Sequence, residues 1–196
     1  MRIVQATLEH LDQLTPLFVN YREHFGQLPY PDSSRKFLEK RISRKESVIY
    51  LAMADDEEKI LGFCQLYSSF SSLSLKRVWI LNDIYVCQDA RRQLVADRLI
   101  QTAKQMAKET NAVRLRVASS VDNEVAHKLY ESIGFKEDTE FKSFVLPITE
   151  DFTLTCPASD AQCATGSAPQ PSRLSHKPTP SCSTNSASAA RCQPCR

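Results

Sequence analysis

Two stretches of this chain carry residue types that can do chemistry. The first is Asn82-Asp83-Ile84-Tyr85-Val86, followed shortly by Arg91-Arg92-Gln93-Leu94-Val95-Ala96. Asp83 is a carboxylate inside an apolar run, and a carboxylate so placed can take a proton from an amine or a water. Its plain alternative is a bond to a neighbouring backbone or basic group. Arg91 and Arg92 open an amphipathic segment. A helix N-terminus presents unpaired N–H groups and the positive end of a dipole, and arginines add charge-assisted bonds, so phosphate suits the place. Two arginines there can equally be simply solvated. The second stretch is Asn123-x-x-Ala126-x-x-x-Tyr130-x-x-x-Gly134-Phe135. Tyr130 offers a phenol as proton donor, or the buried ring of a short helix.

These residues need elements to position them. Residues 3–5 read as a short strand. Thr7 caps a helix whose apolar stripe is Leu8, Leu11, Leu14, Phe18, Tyr21 and Phe25, at steps of three and four. Pro16 lies inside it and predicts a kink or break. Gly26 ends it. A loop through Tyr30 leads to a second helix capped by Asp32 or Ser33 and ending near Ser43.

Residues 47–54 and 60–67 form a hairpin of β-formers. A serine-rich loop over 68–74 surrounds Phe70, and residues 77–86 give the longest strand, apolar enough to be central. Regular alternation sends Asp83 to the face opposite Asn82 and Ile84, so only one of Asn82 and Asp83 can reach a substrate. A helix from about 92 to 108 follows, with Val95, Leu99, Ala103 and Met106 inward. A strand over 112–118, a helix over 123–133 closed by Gly134, and a last strand pair over 135–136 and 141–146 complete the domain.

Beyond residue 148 the composition turns to Ser, Ala, Pro and Thr without apolar periodicity, and residues 153–196 hold no aromatic ring. Such a tail cannot bury enough surface to order itself, so 149–196 is expected to be disordered. Cys192 and Cys195 make a CxxC with His176 upstream, but no second ligand pair accompanies them, so no metal site is expected. Cys64 and Cys87 sit in strand-like runs, as small hydrophobes. The net charge of +2, from 25 basic and 23 acidic residues, gives no footprint for nucleic acid. No apolar run is long enough for a bilayer and the N-terminus lacks a signal-peptide core, so a cytoplasmic protein is expected.

Taken together, the two motifs resemble the GNAT family of N-acetyltransferases. That family places Gln/Arg-x-x-Gly-x-Gly/Ala after its fourth strand, around the pyrophosphate of coenzyme A. Here the motif stands as Arg91-x-x-Leu94-x-Ala96, about thirty residues before the matching Asn123, Ala126, Tyr130, Gly134 and Phe135. The resemblance spans residues 1–146. It implies an α/β (mixed α+β) fold: a mostly antiparallel twisted sheet of six to seven strands, about four helices, and a V-shaped splay between strands 4 and 5.

The resemblance further implies transfer of an acetyl group from acetyl-CoA, by direct attack, to a primary amine such as a polyamine, amino acid or amino sugar. Asp83 is then the base and Tyr130 the acid for the departing thiolate. Ile84, Tyr85 and Val86 line the pantetheine arm. Arg91, Arg92, Gln93, Leu94, Val95 and Ala96 surround the pyrophosphate, with Asn123 and Tyr130 also at the cofactor. Tyr30, Phe70 and Asn82 border the acceptor. A homodimer is common in the family. Leu94 departs from the motif's glycine, which admits phosphate against bare backbone. An alternative reading is therefore a non-catalytic chain of this fold with impaired coenzyme A binding.

Overall fold

A computed structural model of the chain describes residues 1–55 and 59–148. The expected disorder of 149–196, and the CxxC within it, lie outside the described residues.

The order of elements begins with β1 (Arg2–Gln5), α1 (Leu11–His24), α2 (Pro31–Ser43), β2 (Ser47–Met53) and β3 (Ile60–Ser71). It continues with β4 (Lys76–Val86), α3 (Val95–Glu109), β5 (Arg114–Val117) and α4 (Glu124–Ile133). Short 3-10 turns at Leu8–His10 and Gln88–Ala90 lead into α1 and follow β4. One sheet of five strands runs in chain order, β1-β2-β3-β4-β5. The first four strands are antiparallel neighbours, and β5 lies parallel to β4.

The sheet has a core on each face. Leu99, Ile100 and Ala103 of α3, with Tyr130 and Ile133 of α4, pack on Ala52, Cys64, Leu66, Trp79 and Leu81. Leu11, Leu14, Leu17 and Phe18 of α1, with Leu38 of α2, pack on Ile49, Leu51 and Phe63. Side chains wholly out of water, such as Leu14, Leu38, Phe63 and Leu99, each contribute roughly 2 kcal/mol against an extended chain. Alternation along β2 and β3 sorts these residues to their two faces.

Several expectations change. Pro16 lies inside α1, yet the helix remains one element, with Leu14, Thr15, Leu17 and Phe18 buried on either side. Pro31, at the first position of α2 with Tyr30 as N-cap, takes the start expected of Asp32 or Ser33, because its fixed φ suits that place. β3 continues through Ser71, so Phe70 belongs to a strand paired with Arg77 rather than to a loop. α3 starts at Val95, not near Arg92, because Arg92 and Leu94 are both left-handed, at φ 62° and 60°.

The last strand pair does not form: residues 135–136 and 141–146 carry no strand. Among the described residues the sheet has five strands, not six to seven. Phe144 is 91% and Leu146 80% exposed. β-formers become a strand through cross-strand neighbours, and these have none.

Candidate active site

The site begins with an irregularity in β4. Gln65 of β3 pairs with Asp83, and Leu66 pairs with Leu81, so Asn82 is an extra residue with no partner across the ladder. Such a β-bulge resets the alternation. Before it, Trp79 and Leu81 face α3. After it, Ile84 and Val86 face α3, while Tyr85 joins the core beneath α1. Asp83 is thereby turned to the α1 side.

Pairing to β5 stops at Leu81–Val117, whereas pairing to β3 runs on to Val86–Gly62. The expected splay is therefore present. From Asn82 to Val86 one edge of β4 has no strand beside it among the described residues. Those backbone N–H and C=O groups are available to a strand-like ligand.

Asp83 is part-buried and held by donors. The Tyr21 hydroxyl donates to Oδ1 at 2.7 Å. The Asn82 amide Nδ2 donates to Oδ1 at 3.1 Å and to Oδ2 at 3.2 Å. The bulge removes the regular alternation on which the expected separation of Asn82 and Asp83 rested, and the Asn82 amide bonds the Asp83 carboxylate. Burial raises the Asp83 carboxyl above its ordinary range, while the bonds from Tyr21 and Asn82 pull the other way. A base of raised pKa is better matched to neutral pH than an ordinary aspartate.

Of three neighbours of Asp83, Tyr21 and Gln65 carry no separate signal in the sequence. Tyr21 reads there only as part of an apolar helix stripe. Tyr67 lies close enough for the Asp83 charge to raise its phenol, though burial is the larger cause of its rise to about 12. Gln65 is wholly buried; its Nε2 donates to Ser47 Oγ at 2.7 Å and its Oε1 has no protein partner. Only long-range pairing assembles this group.

The phosphate motif folds as a turn. Leu94 is the N-cap of α3 in the left-handed conformation, and no side chain caps the helix start. The N–H groups of Val95, Ala96 and Asp97 thus open the helix without a side-chain acceptor. Val95 buries its side chain in the core, so only its backbone can meet a phosphate. Arg91, Arg92 and Gln93 are exposed, and Gln93 Nε2 donates to the Asp89 carbonyl at 3.0 Å. Leu94 is 70% exposed and takes the backbone shape natural to glycine. The arrangement fits a pyrophosphate, with its charge at the helix start and the two arginines beside it.

On α4, Asn123 is the N-cap, and its Oδ1 accepts from Ala126 N at 3.2 Å. Gly134, at φ 103°, ends the helix as expected. Tyr130 is buried against Phe135, with ring centroids 5.6 Å apart, in the same core as Ile84 and Val86. Burial raises its phenol, so it stays protonated. Tyr130 and Asp83 consequently lie on opposite faces of the sheet.

Phe70 is not brought to this group. It lies five residues beyond Gln65 on β3, about 16 Å at strand rise. The Arg77 guanidinium covers its ring at 4.9 Å. Tyr30 stands in the α1–α2 loop with the Arg22 guanidinium 5.6 Å from its ring. Trp79 faces the α3 core and donates to Thr110 Oγ1 at 2.8 Å. Burial pushes the Cys64 thiol up to about 12, which keeps it protonated. Among the described residues no group of His, Cys, Asp and Glu is placed to hold a metal, and no helix is long and apolar enough to cross a membrane.

The sequence model of the acetyltransferase (GNAT) family matches residues 11–135. The chain belongs to the GNAT family. Its N-acetyltransferase YhfO relative in Bacillus subtilis, itself uncharacterized, is 37% identical over 148 residues, covering 76% of this chain and 98% of the relative. A solved crystal structure of a probable acetyltransferase is 75% identical, with a TM-score of 0.75, covering 77% of this chain and all of that one. The chain is also similar to an aminoglycoside N(6')-acetyltransferase type 1 of Acinetobacter genomosp. 13. That match is 26% identical over 116 residues, covering 57% of this chain and 80% of the relative. GNAT membership makes this chain an acyl-CoA-dependent N-acetyltransferase, with Asp83, the α3 start and Tyr130 as its candidate groups.

Proposed function

We propose that the chain moves an acetyl group from acetyl-CoA to a small primary amine, with residues 1–148 as the acetyltransferase domain. The observation that carries the reading is Asp83. It is a part-buried carboxylate, held by Tyr21 and Asn82, at the point where β4 leaves β5.

Acetyl-CoA supplies the acetyl group as a thioester. Arg91, Arg92 and the first N–H groups of α3 hold its pyrophosphate, and the free edge of β4 from Ile84 to Val86 holds its pantetheine arm. Asn123 meets the pantetheine or the phosphate side of the cofactor, through its own polar groups and the α4 start. Asp83 takes a proton from the acceptor ammonium and leaves a nitrogen lone pair. The new C–N bond forms as the C–S bond breaks. Tyr130 gives its proton to the departing sulfur, and the proton still carried by the acylated nitrogen passes through water to restore the phenol. A phenol of pKa ~10 is a weaker acid than a thiol of about 8.5, so Tyr130 must act as a hydrogen-bonded donor within the step rather than as a free acid.

Aromatic rings around one carboxylate suit a cationic amine. Tyr21, Tyr67 and Tyr85 belong to that surround, with Asn82 beside the carboxylate; Tyr30 and Phe70 are acceptor candidates from the sequence alone. An amino sugar stands beside polyamines and amino acids among the acceptors, and one relative is named for aminoglycosides. The left-handed backbone at Leu94 keeps the turn that a glycine would make there, with the isobutyl group at its mouth.

The test is release of free thiol from acetyl-CoA by the full chain, with a polyamine, a series of amino acids and an aminoglycoside as acceptors. Turnover with one of them, lost in Asp83→Asn, is expected. Tight acetyl-CoA binding with no turnover on any amine overturns the acceptor class. No binding at millimolar acetyl-CoA returns the choice to the non-catalytic reading.

A further inference from the structure

Asp83 is oriented from outside its own strand. Tyr21 of α1 donates to Oδ1 at 2.7 Å, the shortest of the three hydrogen bonds that the carboxylate accepts from side chains. Among the described residues Oδ1 therefore takes two side-chain donors, Tyr21 and Asn82, whereas Oδ2 takes only the Asn82 contact at 3.2 Å. An ionised carboxylate has about four acceptor positions. Oδ2 keeps the freer lone pair, so it is the oxygen able to receive a proton.

The phenol is itself fixed. Its ring meets Phe25 at 5.0 Å, Phe63 at 5.6 Å, Phe18 at 5.8 Å and Tyr85 at 6.1 Å between centroids. These neighbours come from α1, β3 and β4. The ring is thus tied to the stretch of sheet that carries Asp83, and its hydroxyl oxygen cannot move away from Oδ1 without disturbing four ring contacts. Asn82, on the exposed bulge, has no such clamp.

We propose that Tyr21 is a positioning residue of the acetyl transfer, fixing the Asp83 carboxylate so that Oδ2 meets the acceptor amine. The proposal rests on Asp83 as the base. The titratable groups near Asp83 are Tyr21 from α1 and Cys64 and Tyr67 from β3, with Arg41 and Glu46 at the end of α2 near Tyr67. Burial keeps the two tyrosines and the thiol protonated through neutral pH. Asp83 is then the group whose titration sets the acid limb. The Tyr21 bond favours the charged carboxylate, so its loss moves that limb to higher pH.

The experiment uses the full chain as wild type, Tyr21→Phe, Tyr21→Leu and Asp83→Asn. Turnover of acetyl-CoA with the best amine of the panel is followed against pH. In parallel, the carbon-13 carboxyl signal of Asp83, assigned by its absence in Asp83→Asn, is titrated in the protein alone. Tyr21→Phe keeps the ring and removes the hydroxyl. It is expected to lower kcat by about 10- to 100-fold, with KM for acetyl-CoA unchanged, because misplacing a catalytic group costs rate rather than cofactor binding. Its acid limb and its Asp83 signal should both titrate at higher pH than in wild type. If Tyr21→Phe matches wild type in rate and titration, and only Tyr21→Leu loses activity, Tyr21 is a packing residue and the proposal is overturned. If Asp83→Asn keeps wild-type kcat, the base reading itself fails and the positioning role falls with it. The carboxyl titration separates the two failures, because it reads the Tyr21 bond without turnover.

Discussion

Leu81 and Asp83 stand two residues apart on β4 and face opposite sides of the sheet. Leu81 is buried against α3, and Asp83 bonds Tyr21 of α1. In a regular strand they would share a face. The extra residue Asn82 separates them, and keeps a carboxylate out of the α3 core, where it would have met Cys64, Leu66 and Leu99.

Asp83→Asn should lower kcat by at least about 100-fold, the usual share of a general base. It should also make the fold more stable at pH 7. The Asp83 pKa is raised by burial, so the fold is favoured most below the ordinary carboxylate range and loses that contribution as pH rises through the raised value. Removing the charge restores the loss. Thermal melts should show the variant above wild type at pH 7 and level with it near pH 3, where Asp83 is neutral in folded and unfolded chains alike. A variant less stable at both pH values would show that the carboxylate is a net structural asset.

Leu94→Gly should relieve a left-handed backbone that costs a leucine about 1 kcal/mol, partly offset by the entropy of an unfolded glycine. The melting midpoint should hold or rise slightly. Calorimetric titration with coenzyme A should show tighter binding, because an isobutyl group leaves the mouth of the α3 start. Unchanged affinity would mean that the Leu94 side chain already stands clear of the phosphate path.

Gly62→Ala tests the other end of the pantetheine edge. A Cβ at Gly62 would stand 2.6 Å from the Tyr85 carbonyl oxygen and 3.2 Å from Val86 Cα. Backbone cannot yield as a flexible side chain does, so β4 must shift. A loss of about 1–3 kcal/mol in denaturant melts is expected, with weaker coenzyme A binding through the displaced edge from Ile84 to Val86. Wild-type affinity in a destabilised variant would detach that edge from the cofactor.

Tyr130→Phe keeps the ring contact with Phe135 and removes the proton donor. Because the phenol is buried and neutral, its loss should leave acetyl-CoA binding nearly unchanged while kcat drops by about 10- to 100-fold. Pre-steady-state rates of thiol release give the check. Full activity in Tyr130→Phe would leave it a core tyrosine.

Local pattern was enough for much of this chain. Steps of three and four placed α1, α3 and α4, runs of β-formers placed β2, β3 and β4, and Gly134 marked the end of α4. The spacings of Arg91, Leu94 and Ala96, and of Asn123 and Tyr130, carried the GNAT resemblance that the family match then showed. Those features are encoded by neighbours in the chain, through hydrophobic period, caps and turn residues. What the tertiary structure decided lies between distant segments. The strand pair over 135–136 and 141–146 had β-forming residues but no ladder to join. Phe70 pairs with Arg77, toward the other end of the β3–β4 ladder from the Gln65–Asp83 pair. The bulge at Asn82 has no local marker, because it exists only as a mismatch of register between β3 and β4. Tyr21 reached Asp83 across 62 positions of sequence, and only the packing of α1 on the sheet could bring that phenol to that carboxylate.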